Sequence, residues 1–154
     1  MKNVWCQGYR FCLQVITLIE CWVRPLFDLG LRIYLWQVFF RAGWLKLSDW
    51  SGTLDLFDYF YKVPVLPPHL AAVMGTAGEV GLSTLLLFGF CGRFAAAGLF
   101  VTNLMAAISF PDIPELGLKD HYLWGALLLV LAFHGSGRLS LDHWFNQKLG
   151  NSRS

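Results

Sequence analysis

Four runs of apolar residues organise the chain. The most continuous, Leu70 to Phe90, is about 21 residues long, roughly 30 Å of helix, which is the thickness of a hydrocarbon core. Leu29 to Leu47 is interrupted by Arg32, Gln37 and Arg41, and Phe94 to Phe110 carries only Asn103 as a strongly polar member. The fourth, His121 to His134, is short unless Leu116, Leu118 or the apolar positions after Gly135 extend it. The pattern predicts an all-α protein, a bundle of four transmembrane helices over residues 26–145. Ahead of it, Arg10, Gln14, Thr17, Cys21 and Arg24 follow one helical stripe and Leu13, Ile16, Ile19 and Val23 another. Glu20 interrupts the apolar stretch and no small-residue cleavage pattern follows, so residues 1–25 read as an amphipathic helix lying in the membrane interface rather than as a signal peptide. Residues 146–154 read as a cytoplasmic tail.

The connections carry their own signals. Between Ser48 and His69 a short helix is predicted from Gly52 or Thr53, with Leu54, Phe57 and Tyr61 on one face, as a lid or as plain cover. The stretch Val63-Pro64-Val65-Leu66-Pro67-Pro68 ends it, because proline lacks the N–H and holds its predecessor extended. Cys91-Gly92-Arg93 reads as a tight turn. Gly98, Thr102 and Ala106 make a small-residue face for close helix packing, as do Ala71 and Gly75.

Composition sharpens the class. At 56% hydrophobic and 14% charged, with a mean hydropathy of +0.50, the chain lies far from a soluble average of about 25% charged. A net charge of +2 without a basic cluster argues against nucleic acid as a partner. Lys2, Arg10, Arg24, Arg93, Arg138, Lys148 and Arg153 fall on one side of the four spans, against Lys46, Lys62 and Lys119 on the other, which places both termini in the cytoplasm. The cysteines, Cys6, Cys12, Cys21 and Cys91, form no C-x-x-C pair and lie toward that reducing side, as free small hydrophobes. Histidine spacing for a metal is absent, and so is a phosphate loop or a serine elbow.

Glu79 is the candidate centre of function. A carboxylate deep in an apolar run is expensive and faces a partner or a cavity rather than lipid. Measured from one common surface, Arg41 lies about 9 Å deep, Asn103 roughly 10 Å and Glu79 roughly 13 Å. The three are therefore expected to meet, Arg41 pairing with Glu79 and Asn103 satisfying what remains. That choice turns the stripe of Gln37, Arg41, Trp44 and Ser48 inward. Arg32, Phe39, Gly43, Lys46 and Trp50 share the opposite stripe, with Arg32 and Lys46 snorkelling to the interfaces. His121 is expected at the mouth, with Trp124 one turn further in.

Several segments resemble the DoxX family of bacterial membrane proteins: residues 39–50, FFRAGWLKLSDW; 61–68, YKVPVLPP; Gly78-Glu79; 119–125, KDHYLWG; and 135–142, GSGRLSLD. The likeness runs from Leu29 to Trp144, departing at Ser136, where the family often has the proline of Gly-Pro-Gly. It implies a four-helix bundle in the bacterial inner membrane. Relatives are linked to membrane oxidoreductase assemblies, among them a quinone-reducing thiosulfate oxidation complex and an oxidative-stress complex with soluble partners, and others accompany metal-handling clusters.

Two function classes follow. In one, the protein is the membrane subunit of a quinone-linked redox system with an outward-facing polar pocket: Arg41 and Asn103 donate to the quinone, Glu79 relays protons, His121 donates at the rim, and Trp44 and Trp124 wall the ring. A redox partner protein and a homo-oligomer are both compatible with it. In the other, it is a non-enzymatic anchor or metal-handling module, and the buried charges are a clamp that fixes helix register.

Overall fold

The computed structural model describes residues 13–111 and 113–151, and within them all regular structure is helical. Helix α1 spans Arg24–Ser48, α2 Trp50–Tyr59, α3 Pro68–Phe88, α4 Gly92–Ser109, α5 Glu115–His134 and α6 Leu141–Asn151. Helices α3, α4 and α5, with 21, 18 and 20 residues, are long and apolar enough to cross a membrane. At 25 residues α1 is longer, but Arg24, Asp28, Arg32, Arg41 and Lys46 interrupt it. The fourth apolar run is extended backwards through Leu118 and Leu116, which resolves its shortness.

Residues 1–12 of the expected amphipathic helix lie outside the described residues. From residue 13 the chain is helical and enters α1 without a break, through a π-turn at Ile19–Val23 in which the Arg24 N–H donates to the Ile19 carbonyl. The cause is Pro25. It brings no N–H and its ring crowds the carbonyl four residues back, so one wider turn absorbs the misfit and the helix continues.

Helices α1, α3, α4 and α5 pack around a core of Leu35, Phe39, Leu86, Ala95, Ala96, Leu99, Leu128 and Leu131. The small-residue face of α4 meets α3: a methyl on Gly98 would lie 2.6 Å from Leu82, and one on Gly78 3.1 Å from the Thr102 hydroxyl. Outward faces stay apolar, with Phe94, Val101, Ile108, Leu123 and Phe133 exposed, the surface that lipid contact requires. Asp49 caps α2 by accepting from the Gly52 N–H at 3.0 Å, and Phe57 seats that helix on Ala71 and Ala72 of α3.

The opposite end is closed by polar groups. Gly89 and Cys91 adopt left-handed backbone at the α3–α4 turn, and Asp142 accepts from the N–H groups of Cys91 at 2.8 Å and Gly92 at 2.9 Å. Arg32 does not snorkel, contrary to expectation. It is wholly buried, donating to the carbonyls of Leu87 at 3.2 Å and of Leu139, with Asp28 and Asp142 supplying countercharge. The tight sequence Gly135-Ser136-Gly137 that leads to α6 uses positive φ at both glycines, and Ser136 packs against Gly92.

Candidate functional site

The acid at the centre is where its sequence placed it, buried, but its partner is different. Lys46 donates from Nζ to both carboxylate oxygens of Glu79, Oε1 at 2.6 Å and Oε2 at 2.5 Å. Arg41 is exposed on another face of α1 and has no partner among the described residues, which corrects the expected Arg41–Glu79 pair. The whole stripe follows: Gln37, Arg41, Trp44 and Ser48 face outward, while Arg32, Phe39 and Gly43 are buried and Lys46 turns in.

Two local features set this geometry. Gly43 lets the backbones of α1 and α3 touch at the acid itself, for a methyl there would lie 2.9 Å from Glu79 Cβ and 2.7 Å from Val80 Cγ2. Lys46, three residues on, then shares the face that looks at Glu79. The second feature is a π-turn in α3 over Gly78–Leu82, which widens the helix where Glu79 sits. The common-surface assumption behind the Arg41 pairing fails for a related reason. Gly43 stands five residues from the end of α1 and Glu79 eleven from the start of α3, so α3 begins about 9 Å beyond α1, alongside α2.

The ion pair lines a cavity of about 320 Å³ together with Tyr61, Thr102, Met74 and Met105, closed on the α2 side by Phe57, Val63 and Leu66. Phe57 and Tyr61 stack at 4.7 Å, Tyr61 also meets Phe110 at 5.4 Å, and the Lys62 N–H donates to the Ser109 carbonyl at 2.8 Å, which ties this segment to α4. Burial pushes the Tyr61 phenol above its ordinary range, and the charge of Glu79 pushes it further. Sequence reading put Tyr61 on the lid helix face but gave it no part in the site, and it left Thr102 as a packing residue.

Asn103 and His121 pair with each other instead of with Glu79, and neither lines the cavity. Asn103 Nδ2 donates to the His121 carbonyl at 2.9 Å, and that carbonyl can only accept, so the amide orientation is set. Asn103 Oδ1 therefore accepts from His121 Nδ1–H at 2.8 Å, and a neutral ring keeps its lone pair on Nε2. Trp124 meets the His121 ring edge-on at 5.2 Å and donates from Nε1 to the Tyr34 hydroxyl at 3.2 Å. Trp44 lies outside the cavity, exposed and stacked on Phe40 at 6.0 Å. Among the described residues no cluster of three or more His, Cys, Asp or Glu suits a metal ion.

An all-helical protein with apolar outer faces, several membrane-length helices and a buried ion pair is an integral membrane protein. The DoxX family model matches residues 27–112, more than half of the sequence, and the chain belongs to the DoxX family. A protein of Haemophilus influenzae described as uncharacterized is 28% identical over 118 residues, covering 73% of this chain and 78% of its own length. No solved structure matches the chain.

Proposed function

We propose that this protein is the membrane subunit of a quinone-linked redox system, with four spans in the bacterial inner membrane, both termini cytoplasmic, and the Lys46–Glu79 cavity open toward the outer leaflet as the quinone headgroup site. The observation that carries the reading is an ion pair lining an otherwise apolar cavity beside a phenol. Quinone reduction takes two electrons, here from a partner redox protein, and two protons, and it needs a donor at the carbonyl oxygens in an apolar slot. Lys46 and Tyr61 supply donors, Glu79 hands protons on, and Phe57, Met74 and Met105 give the ring an apolar bed. His121 of α5, backed by Trp124, is the neighbouring proton store, held by Asn103, which follows the cavity-lining Thr102 on α4. Arg41 and Trp44 have no part in this pocket.

The two short bonds from Lys46 to both oxygens of Glu79 favour a second reading, a non-enzymatic module in which the pair clamps α1 to α3. Extraction of the protein in mild detergent and analysis of its lipid-soluble contents decides between them. Stoichiometric quinone in the wild type, lost in Glu79→Gln while the helix content is kept, supports the site. Absence of quinone, with Glu79→Gln rescued in yield by Lys46→Met, supports the clamp.

A further inference from the structure

Arg41 poses a separate electrostatic problem. Its guanidinium belongs to an exposed face of α1, seven residues, about 10 Å, before the helix ends at Ser48. Trp36, Phe40 and Trp44 form a ladder beside it, with Trp36 and Phe40 5.4 Å apart and Phe40 and Trp44 stacked at 6.0 Å. Among the described residues no acid answers it. Glu79 is taken by Lys46, Asp49 caps α2, and Asp28, thirteen residues back along α1, is about 20 Å away. The Arg41 face of α1 therefore offers a cation with no countercharge among the described residues.

We propose that Arg41 binds the phosphate of a membrane phospholipid, in the groove lined by Phe40, Arg41, Ala42, Trp44, Leu45 and Ser48. The proposal rests on the reading of α1 as a membrane span, and is independent of the quinone. The groove is an open furrow along one face of α1, with about 580 Å³ of space against that face. A guanidinium on a long flexible stem can be extended along the helix surface toward the headgroup layer, and its planar fork matches two phosphate oxygens. The Trp36 and Trp44 indoles beside it have the amphipathic character that the interfacial region favours, with the apolar Phe40 ring between them. A carboxylate from another protein would satisfy the charge, but the groove is otherwise almost wholly apolar and suited to a lipid's upper acyl chains.

The test is native mass spectrometry of the full chain in detergent, titrated with phosphatidylglycerol and, as a phosphate-free match, with diacylglycerol. The wild type is expected to retain one phosphatidylglycerol and not diacylglycerol, and Arg41→Gln to bind it at least about tenfold more weakly, with Arg41→Lys between them. Equal retention by wild type and Arg41→Gln overturns the proposal, as does an oligomer that Arg41→Gln splits without changing lipid retention. Trp44→Leu keeps the face apolar but removes one wall. If Arg41→Gln does not fold, weakened retention in Trp44→Leu supports the site and unchanged retention overturns it. Topology reporters at the amino terminus and after Lys62 check the span on its own. Reporters on the same side remove the span, whereas reporters on opposite sides with unchanged lipid retention remove only the phosphate site.

Discussion

Lys46 of α1 and Glu79 of α3 form a two-pronged ion pair whose side chains are only 16% and 9% exposed. Removing one partner from such a pair leaves an uncompensated buried charge, which costs roughly 3–5 kcal/mol, more than the pair itself contributes. Lys46→Met is therefore expected to lower the thermal unfolding midpoint in detergent strongly, and Lys46→Met with Glu79→Leu to recover most of the loss. A double variant as unstable as the single one would show that the lysine acts through packing rather than charge.

Gly43 sets the distance between the two helices that carry the pair. A methyl at this position meets Val80 Cγ2 at 2.7 Å, Glu79 Cβ at 2.9 Å and the Val80 backbone N at 3.2 Å, and the last of these cannot move aside by changing rotamer. Gly43→Ala is expected to destabilise by about 1–3 kcal/mol, the range for overpacking. Gly30, on the same helix with nothing within 4 Å of its added methyl, is the internal control. Gly30→Ala is expected to be neutral or to stabilise by up to about 1 kcal/mol through helix propensity. Thermal midpoints of the two variants measured side by side check the contrast.

The class of the fold was legible in the apolar runs, because three of them are long enough to declare themselves and Glu79 is too costly to leave unpartnered. The phase of α1 was not. Both of its stripes carry cations, so the apolar pattern does not say which faces the bundle, and a comparison of depths selected Arg41. That comparison assumed helices ending at one level, whereas α3 starts beyond α1 and the lysine stem spans the remaining gap. The signal that would have chosen correctly is Gly43 three residues before Lys46, a glycine on the stripe that touches another helix. Arg32 was hidden for a similar reason. Its acceptors are the carbonyls of Leu87 and Leu139, which belong to distant parts of the chain and leave no residue-type signature.

Tyr61 offers a spectroscopic view of the cavity. Its phenol ionises above the ordinary tyrosine value of about 10 because it is buried and, secondarily, because Glu79 is negative. Of the five tyrosines in the chain it is expected to ionise late in an ultraviolet titration, and Tyr61→Phe removes that late component. Glu79→Gln is expected to bring it part of the way back, since burial remains. The sign for stability follows from linkage. Below the unfolded value Tyr61 is neutral in both states and its contribution is whole. As pH rises from there through the raised folded value the unfolded chain sheds the proton first, and stability is lost. A Tyr61→Phe variant that unfolds with the same alkaline profile as the wild type refutes this.

Asp142 holds the other end of the bundle closed. Its carboxylate accepts from the Cys91 and Gly92 N–H groups at the start of α4, while its own N–H donates to the Gly89 carbonyl at 3.0 Å, so one residue of α6 ties down the whole α3–α4 turn. Cys91 sits at a φ of 48°, a conformation costly for a side chain other than glycine and maintained here by those bonds. Asp142→Ala leaves two N–H groups without their acceptor, a loss of about 1–2 kcal/mol, and Asp142→Asn keeps one oxygen and is expected to lose less. The loss is local, so protease cleavage near Arg138 and faster hydrogen exchange at the Cys91 and Gly92 amides should appear before any change in the Lys46–Glu79 pair. Exchange at those two amides as slow in Asp142→Ala as in the wild type would mean that the turn is held by the buried Arg32 and its carbonyl partners rather than by the aspartate.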